Sequence, residues 1–278
     1  TGATDPRAAD RSRETLVALF GIELASAPLA SGSGGFVYRL NPTIGAIERT
    51  SDSFGAFYTE RALRIGRRQL ALGLVAQNAS FTTVQGLELG NGTFPLTAVR
   101  AAGNTDPFAV DTLHLELSSR SLTARATYGV TDALDVGLAV PFVQTSFSGS
   151  RITVLDGRPV FDIVRSGRAS GLGDTAVTVR YRVTGGAGSG VAVGSDVRLP
   201  TGSAENLLGT GRASYRGHLI ATLDRGSVDL SGNAGVGLGG ASDEIFWAGA
   251  VTWAAAPRVT VVSEVFGRRL DDRLPCRQ

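Results

Sequence analysis

From Ser53 onward, apolar and polar residues alternate one by one through segment after segment. In ASGLGDTAVTVRYRV (169–183), Asp174, Ala176, Thr178, Arg180 and Arg182 share one parity, and Thr175, Val177, Val179, Tyr181 and Val183 share the other. Successive side chains of a strand point to opposite faces, so one face would carry the arginines and the other the valines. The same pattern predicts strands over 54–64, 69–83, 110–129, 134–148, 174–184, 190–199, 213–224, 227–238, 244–255 and 258–269. In 134–148, Leu134, Val136, Leu138, Val140 and Phe142 share a face, and in 227–238 Val228, Leu230, Ala234, Val236 and Leu238 do. Two-residue periodicity repeated in segments of about ten residues is the pattern of a membrane barrel.

The connections sort by parity as well. Those at 65–69, 130–133, 184–190, 224–227 and 255–258 are short, and those at 84–109, 149–173, 200–212 and 239–243 are polar and mostly longer. Short turns on one rim and long loops on the other are how outer-membrane barrels are built. A soluble sandwich gives no reason for such sorting. The expected fold class is therefore all-β, an antiparallel transmembrane β-barrel with ten to eleven strands recognisable here.

Residues 1–52 read as a separate N-terminal segment, with a short amphipathic helix over 5–25, a glycine-rich hinge at 31–35 and a hairpin over 36–50 turning at Asn41-Pro42 and Gly45. That segment is expected to plug the barrel of residues 53–278 or to lend it a strand. The run GRRLDDRLPCRQ closes the sequence without an amphipathic strand, so the barrel is expected to lack its last strands.

Composition narrows the classes. The chain has 278 residues and 37 glycines, with a net charge of only +2, and its 27 basic residues are all arginine. They are scattered singly, whereas a nucleic-acid groove needs them clustered. One cysteine, Cys276, rules out an internal disulfide framework. No run reaches the ~18–20 apolar residues of a spanning helix. Thr1 is not a natural start, because the sequence has no methionine, and an export signal would lie upstream.

Four blocks carry a family resemblance: SDSFGAFYTERALRIGRRQLALGLVAQNASF (51–81), YGVTDALDVGLAVPFV (128–143), GLGDTAVTVRYRV (171–183) and DVRLPTGSAENLLGTG (196–211). Together they resemble the outer-membrane channel proteins associated with the meta-pathway of phenol degradation, distant cousins of the long-chain fatty-acid channels. The resemblance covers roughly residues 30–270 and implies a barrel of about twelve to fourteen strands. It also implies passage of small hydrophobic or aromatic compounds across the outer membrane, without catalytic residues or cofactor.

Candidate chemistry lies on the polar parity. Glu116, Arg125, Arg180, Arg182, Asp196, Arg198, Asp229, Asn233, Glu264 and Arg268 alternate with apolar neighbours and are expected to line the lumen as a mixed-sign ladder. Gly73, Gly137, Gly194 and Gly235 sit among them, where interior crowding would select glycine. Tyr58, Tyr128, Phe142, Phe147, Tyr181, Trp247, Trp253 and Phe266 are placed for interfacial girdles. GLGD and GTGRAS read as strand-entry turns, since no helix follows and a Walker motif needs lysine. His114 and His218 lack the companions of a metal or hydrolase site, so no metal, cofactor or enzymatic activity is expected. The expected function is a passive outer-membrane channel, its partners being membrane lipid and small apolar or aromatic solutes, with no nucleic acid. The competing readings are a structural or adhesive barrel and a soluble sandwich or lipocalin-like carrier.

Overall fold

The computed structural model of the protein describes residues 38–41, 45–49, 55–62, 65–84, 87–90, 94–99, 108–155, 158–186, 188–240, 242–256 and 259–270. The expected helix over 5–25, the hinge at 31–35 and the closing run 271–278 lie outside them. Fifteen strands and no helix occur among the described residues. They are β1 (Tyr38–Asn41), β2 (Ala46–Arg49), β3 (Leu70–Phe81), β4 (Thr83–Val84), β5 (Leu87–Glu88), β6 (Phe94–Val99), β7 (Phe108–Gly129) and β8 (Leu134–Leu155). Then follow β9 (Arg158–Leu172), β10 (Ala176–Gly185), β11 (Gly190–Arg198), β12 (Ser214–Asp224), β13 (Val228–Gly239), β14 (Glu244–Ala256) and β15 (Val259–Leu270).

All but β4 and β5 join one antiparallel sheet in the order β15-β14-β13-β12-β11-β10-β8-β7-β3-β1-β2. The hairpin expected over 36–50 is present, turning between Asn41 and Ala46, and it lends strands to the sheet edge beside β3. The sheet curls into a half-barrel. Gln77 and Phe81 of β3 line the same cavity as Phe246 of β14 and Phe266 of β15. On a flat sheet β3 and β15, eight strands apart, would be separated by about 38 Å.

Two expected loops are instead strand. The 149–173 connection continues β8 to Leu155 and returns as β9, and the 84–109 connection contains β6. Both β9 and β10 pair with β8, through Phe142↔Leu172 and Ala176↔Ala139. They form one descending run broken at Gly173–Thr175. β3 and β6 share β7 in the same way. At 22 residues each, β7 and β8 are about twice the 9–11 residues that cross a bilayer. The polar residues of this stretch resemble loop in one dimension, yet the register with neighbouring strands carries the ladder through them.

Burial is inverted relative to a water-soluble sheet. On β10, Val179, Tyr181 and Val183 are exposed, while Ala176, Thr178 and Arg180 are buried. On β12, Leu219 is 59% exposed and its neighbour Ile220 is 0% exposed. Along β10 to β14 the outward parity carries no charged residue, and on β15 the first is Arg269. On β8 the outward apolar run from Leu134 to Phe142 is about 27 Å long, or about 21 Å tall at a 40° tilt, close to the ~25 Å apolar belt of a membrane barrel.

Candidate functional site

The segment expected as a strand over 54–64 is not one. Residues 55–62 cross the concave face and are pinned to several strands in turn. The Glu264 carboxylate on β15 accepts hydrogen bonds from the backbone N–H groups of Phe57, Tyr58 and Thr59 at 2.6, 2.9 and 2.9 Å. Arg61 lies 3.4 Å from Asp229 of β13, and the Ala62 N–H donates to Thr222 Oγ1 of β12 at 2.8 Å. Ala62, Ala192 and Ile220 form a small apolar contact beneath. The sequence contained the reason: Glu60 and Arg61 are neighbours, so in a membrane strand one of them would face lipid, at about 2–4 kcal/mol for arginine. Lying across the lumen lets both find partners.

Glu60 is the centre of an ionic cluster. Its Oε2 lies 3.5 Å from Arg180 Nε and 3.8 Å from His218 Nε2, and His218 Nδ1 lies 3.8 Å from Asp196. Burial alone would push the Glu60 carboxyl up, but Arg180, His218 and Arg125 together hold it well below the usual carboxylate range. Glycines make room for this arrangement. A Cβ on Gly194 or Gly235 would meet His218 at 2.4 or 2.5 Å, and one on Gly137 would meet Thr178 at 2.4 Å. Gly73 is different, with its nearest side-chain atom at 4.0 Å.

Of the residues singled out for the lumen, Arg125, Arg180, Asp196, Asp229 and Glu264 are thus brought together against the crossing segment. Arg198, Asn233 and Arg268 line a cavity of about 340 Å³ beside it. Arg182 lies at a register shift and donates to the carbonyls of Gly186 and Ser189, so it serves its own turn. Glu116 is exposed on the opposite parity from Arg125, nine residues away, where Ser148 donates to it at 3.2 Å. The aromatic residues divide likewise. Tyr128, Phe142, Tyr181, Trp247 and Trp253 are exposed on the outer face, whereas Phe266 turns inward to meet Tyr58, ring centroids 4.4 Å apart.

The GLGD and LPTG blocks, remote in sequence, lock together. Asp174 is buried at the break between β9 and β10 and accepts from Gly202 N–H at 3.0 Å and from Thr210 N–H and Oγ1 at 2.7 and 2.9 Å. Thr201 Oγ1 donates to Gly173 O at 2.7 Å and accepts from Thr175 N–H at 2.9 Å. Glycine is required at 209, where a Cβ would lie 2.2 Å from the Asp174 carboxylate. Thr145 of β8 donates to Leu207 O at 3.1 Å, which holds the 199–211 loop inward over the sheet. These blocks are one latch.

No family model matches this chain, and no curated protein matches it. Among solved structures it is similar to the ferric yersiniabactin uptake receptor FyuA from Yersinia pestis, at 16% identity over 74% of this chain, with a TM-score of 0.34. The chain spans 33% of that receptor's length. The likeness to phenol-pathway channels stands on the residue blocks alone.

Beyond the expected residues, the sites that sequence reasoning missed are Glu60, Arg61, Asp174, Arg216, Glu244 and Phe246. Arg216 and Glu244 are paired at 2.6 Å, and the Arg216 guanidinium sits 5.2 Å from the Phe246 ring centre. Their parity was legible; their meeting across β12, β13 and β14 was not. No group of three or more metal-ligating side chains occurs among the described residues.

Proposed function

We propose that this protein is an outer-membrane β-barrel channel through which small hydrophobic or aromatic compounds diffuse passively. The observation that carries the reading is the inverted burial of β10 to β15: a leucine- and valine-rich outer face, without charge from β10 to β14, around an inner face that holds arginines and carboxylates. Water would collapse such a sheet onto its valines, whereas lipid covers them and leaves the ionic face around a polar passage. The solute class draws support from the aromatic lining of the cavity, Tyr58, Phe246 and Phe266, and from the phenol-channel resemblance. The reaction is movement down a gradient, with the side chains around the path setting selectivity. No bond is made or broken.

The crossing segment at 55–62 favours a second reading, a structural barrel without transport, because it occupies the concave face. Two measurements separate the readings. Refolded protein that shifts in gel mobility between unheated and boiled samples is a lipid-type barrel. Liposomes containing it that swell in a gradient of a phenol-sized solute support the channel, and a mobility shift without swelling supports the structural reading. A chain that stays folded and monodisperse in detergent-free buffer overturns both.

A further inference from the structure

We propose that the cavity on the concave face, lined by the crossing segment, by β3 and β7 and by β10 to β15, is a binding site for small aromatic carboxylates, single rings bearing one anionic group. The proposal rests on the channel reading and names a solute class for it. The cavity, about 340 Å³, lies at the lower end of the range for ligand sites and suits one ring rather than a long chain. Its apolar wall is aromatic: Tyr58 against Phe266 at 4.4 Å, with Phe246 on the neighbouring strand. Phe246 stands opposite Gly235 on β13, and Ala248 opposite Phe266 on β15, so small residues leave the rings a recess.

The polar wall selects the anion. Four arginines (125, 198, 216 and 268) face the cavity against three carboxylates, and Glu60 and Asp196 both lie against His218. That leaves Arg216 with Glu244, at 2.6 Å, on top of the Phe246 ring. Glu244 thereby occupies the position that an aromatic acid's carboxylate would take, with the ring of the acid continuing onto Phe246 and Phe266. An arginine stacked on an aromatic ring presents a planar fork suited to a carboxylate, which a neutral phenol cannot match. The entering acid replaces one carboxylate by another, so the half-buried Arg216 keeps a counter-charge, while the buried Glu244 carboxylate must give up that partner.

The test is equilibrium dialysis of the refolded, heat-modifiable protein in detergent against benzoate, benzyl alcohol and benzylamine. Benzoate is expected to bind about tenfold or more tighter than benzyl alcohol, the difference one charge-assisted pair makes, and benzylamine weakest. Arg216→Gln should remove the preference for benzoate while leaving benzyl alcohol binding intact, and Glu244→Gln should tighten benzoate severalfold by removing its competitor. Equal binding of the acid and the alcohol overturns the proposal, as does a preference that survives in Arg216→Gln. Should Arg216→Gln lose heat modifiability, Glu244→Gln decides, since a variant unable to tighten benzoate also overturns it. Liposome swelling reads the channel separately: equal flux of acid and alcohol with no binding preference sinks the site and keeps the channel. Preferential binding without flux keeps the site and sinks the channel.

Discussion

Strands β10 to β15 and strands β7 to β9 solve the same problem over different lengths. In β10 to β14 the outward parity stays uncharged from end to end, as in Val177, Val179, Tyr181 and Val183, while the inward parity holds the small, polar and charged residues, as in Ala176, Thr178 and Arg180. In β7 to β9 the characters exchange part-way. Outward Tyr128, Leu122, Phe142 and Leu172 give way to Arg120, Gln144, Ser118, Ser146, Arg168, Glu116 and Ser148. Inward Thr127 and Thr123 give way to Leu117 and Leu115, which are buried. The strand geometry is unbroken across the exchange, so the change belongs to the surroundings. On the channel reading proposed above, the outer face below the exchange would meet lipid and the same parity above it would meet water, with apolar residues turned to the other side.

The two regions should differ most on the outer face. Leu219→Arg, in the middle of the β12 apolar row, should cost about 2–4 kcal/mol, whereas Ser118→Arg, outward on the extension of β7, should change stability by less than about 0.5 kcal/mol. Denaturant unfolding in vesicles measures both, and equal costs would place the two rows in one solvent. Next in size is Asp174→Ala, which leaves the donors of Gly202 and Thr210 without their acceptor at the junction of the two regions. A loss of about 2–3 kcal/mol is expected, with new proteolytic cleavage within 199–211.

Glu264→Ala removes the carboxylate that receives three consecutive N–H groups and should release the crossing segment for about 1–2 kcal/mol. A cysteine-reactive probe checks this: Thr59→Cys should label readily in the Glu264→Ala background and slowly in its absence. The smallest effect is with pH. Because Glu60 is held below the usual carboxylate range in the folded protein, its contribution is fully present above about pH 4.5 and is lost only as pH falls through that lowered value. Labelling at Thr59→Cys, taken relative to an unfolded control at the same pH to cancel the loss of thiolate, should therefore be the same at pH 7 and pH 5, and a relative increase by pH 5 would show that Glu60 does not anchor the segment.

Sequence periodicity located nine of the ten anticipated strands, eight of them to within two residues at each end and β8 seven residues short of its end, because a two-residue period is imposed locally by one apolar face and one polar face. Where that imposition changes along a strand, periodicity misleads. Glu116 and Arg125 both alternate with apolar neighbours, yet they sit on opposite faces, nine residues apart. The strand anticipated over 54–64 was excluded by adjacent Glu60 and Arg61, a local signal that outweighs its alternation.

The all-β character, the parity of most side chains and the sorting of short turns from long connections are each set by neighbours along the chain and are legible there. Which residues meet across the sheet is not. Glu264 reaches Phe57 over 207 residues, Asp174 reaches Gly202 and Thr210, and Arg216 meets Glu244 and Phe246. The physical reason is that strand register and sheet curvature, which bring these groups within hydrogen-bond distance, are properties of the paired sheet and have no counterpart in any single strand.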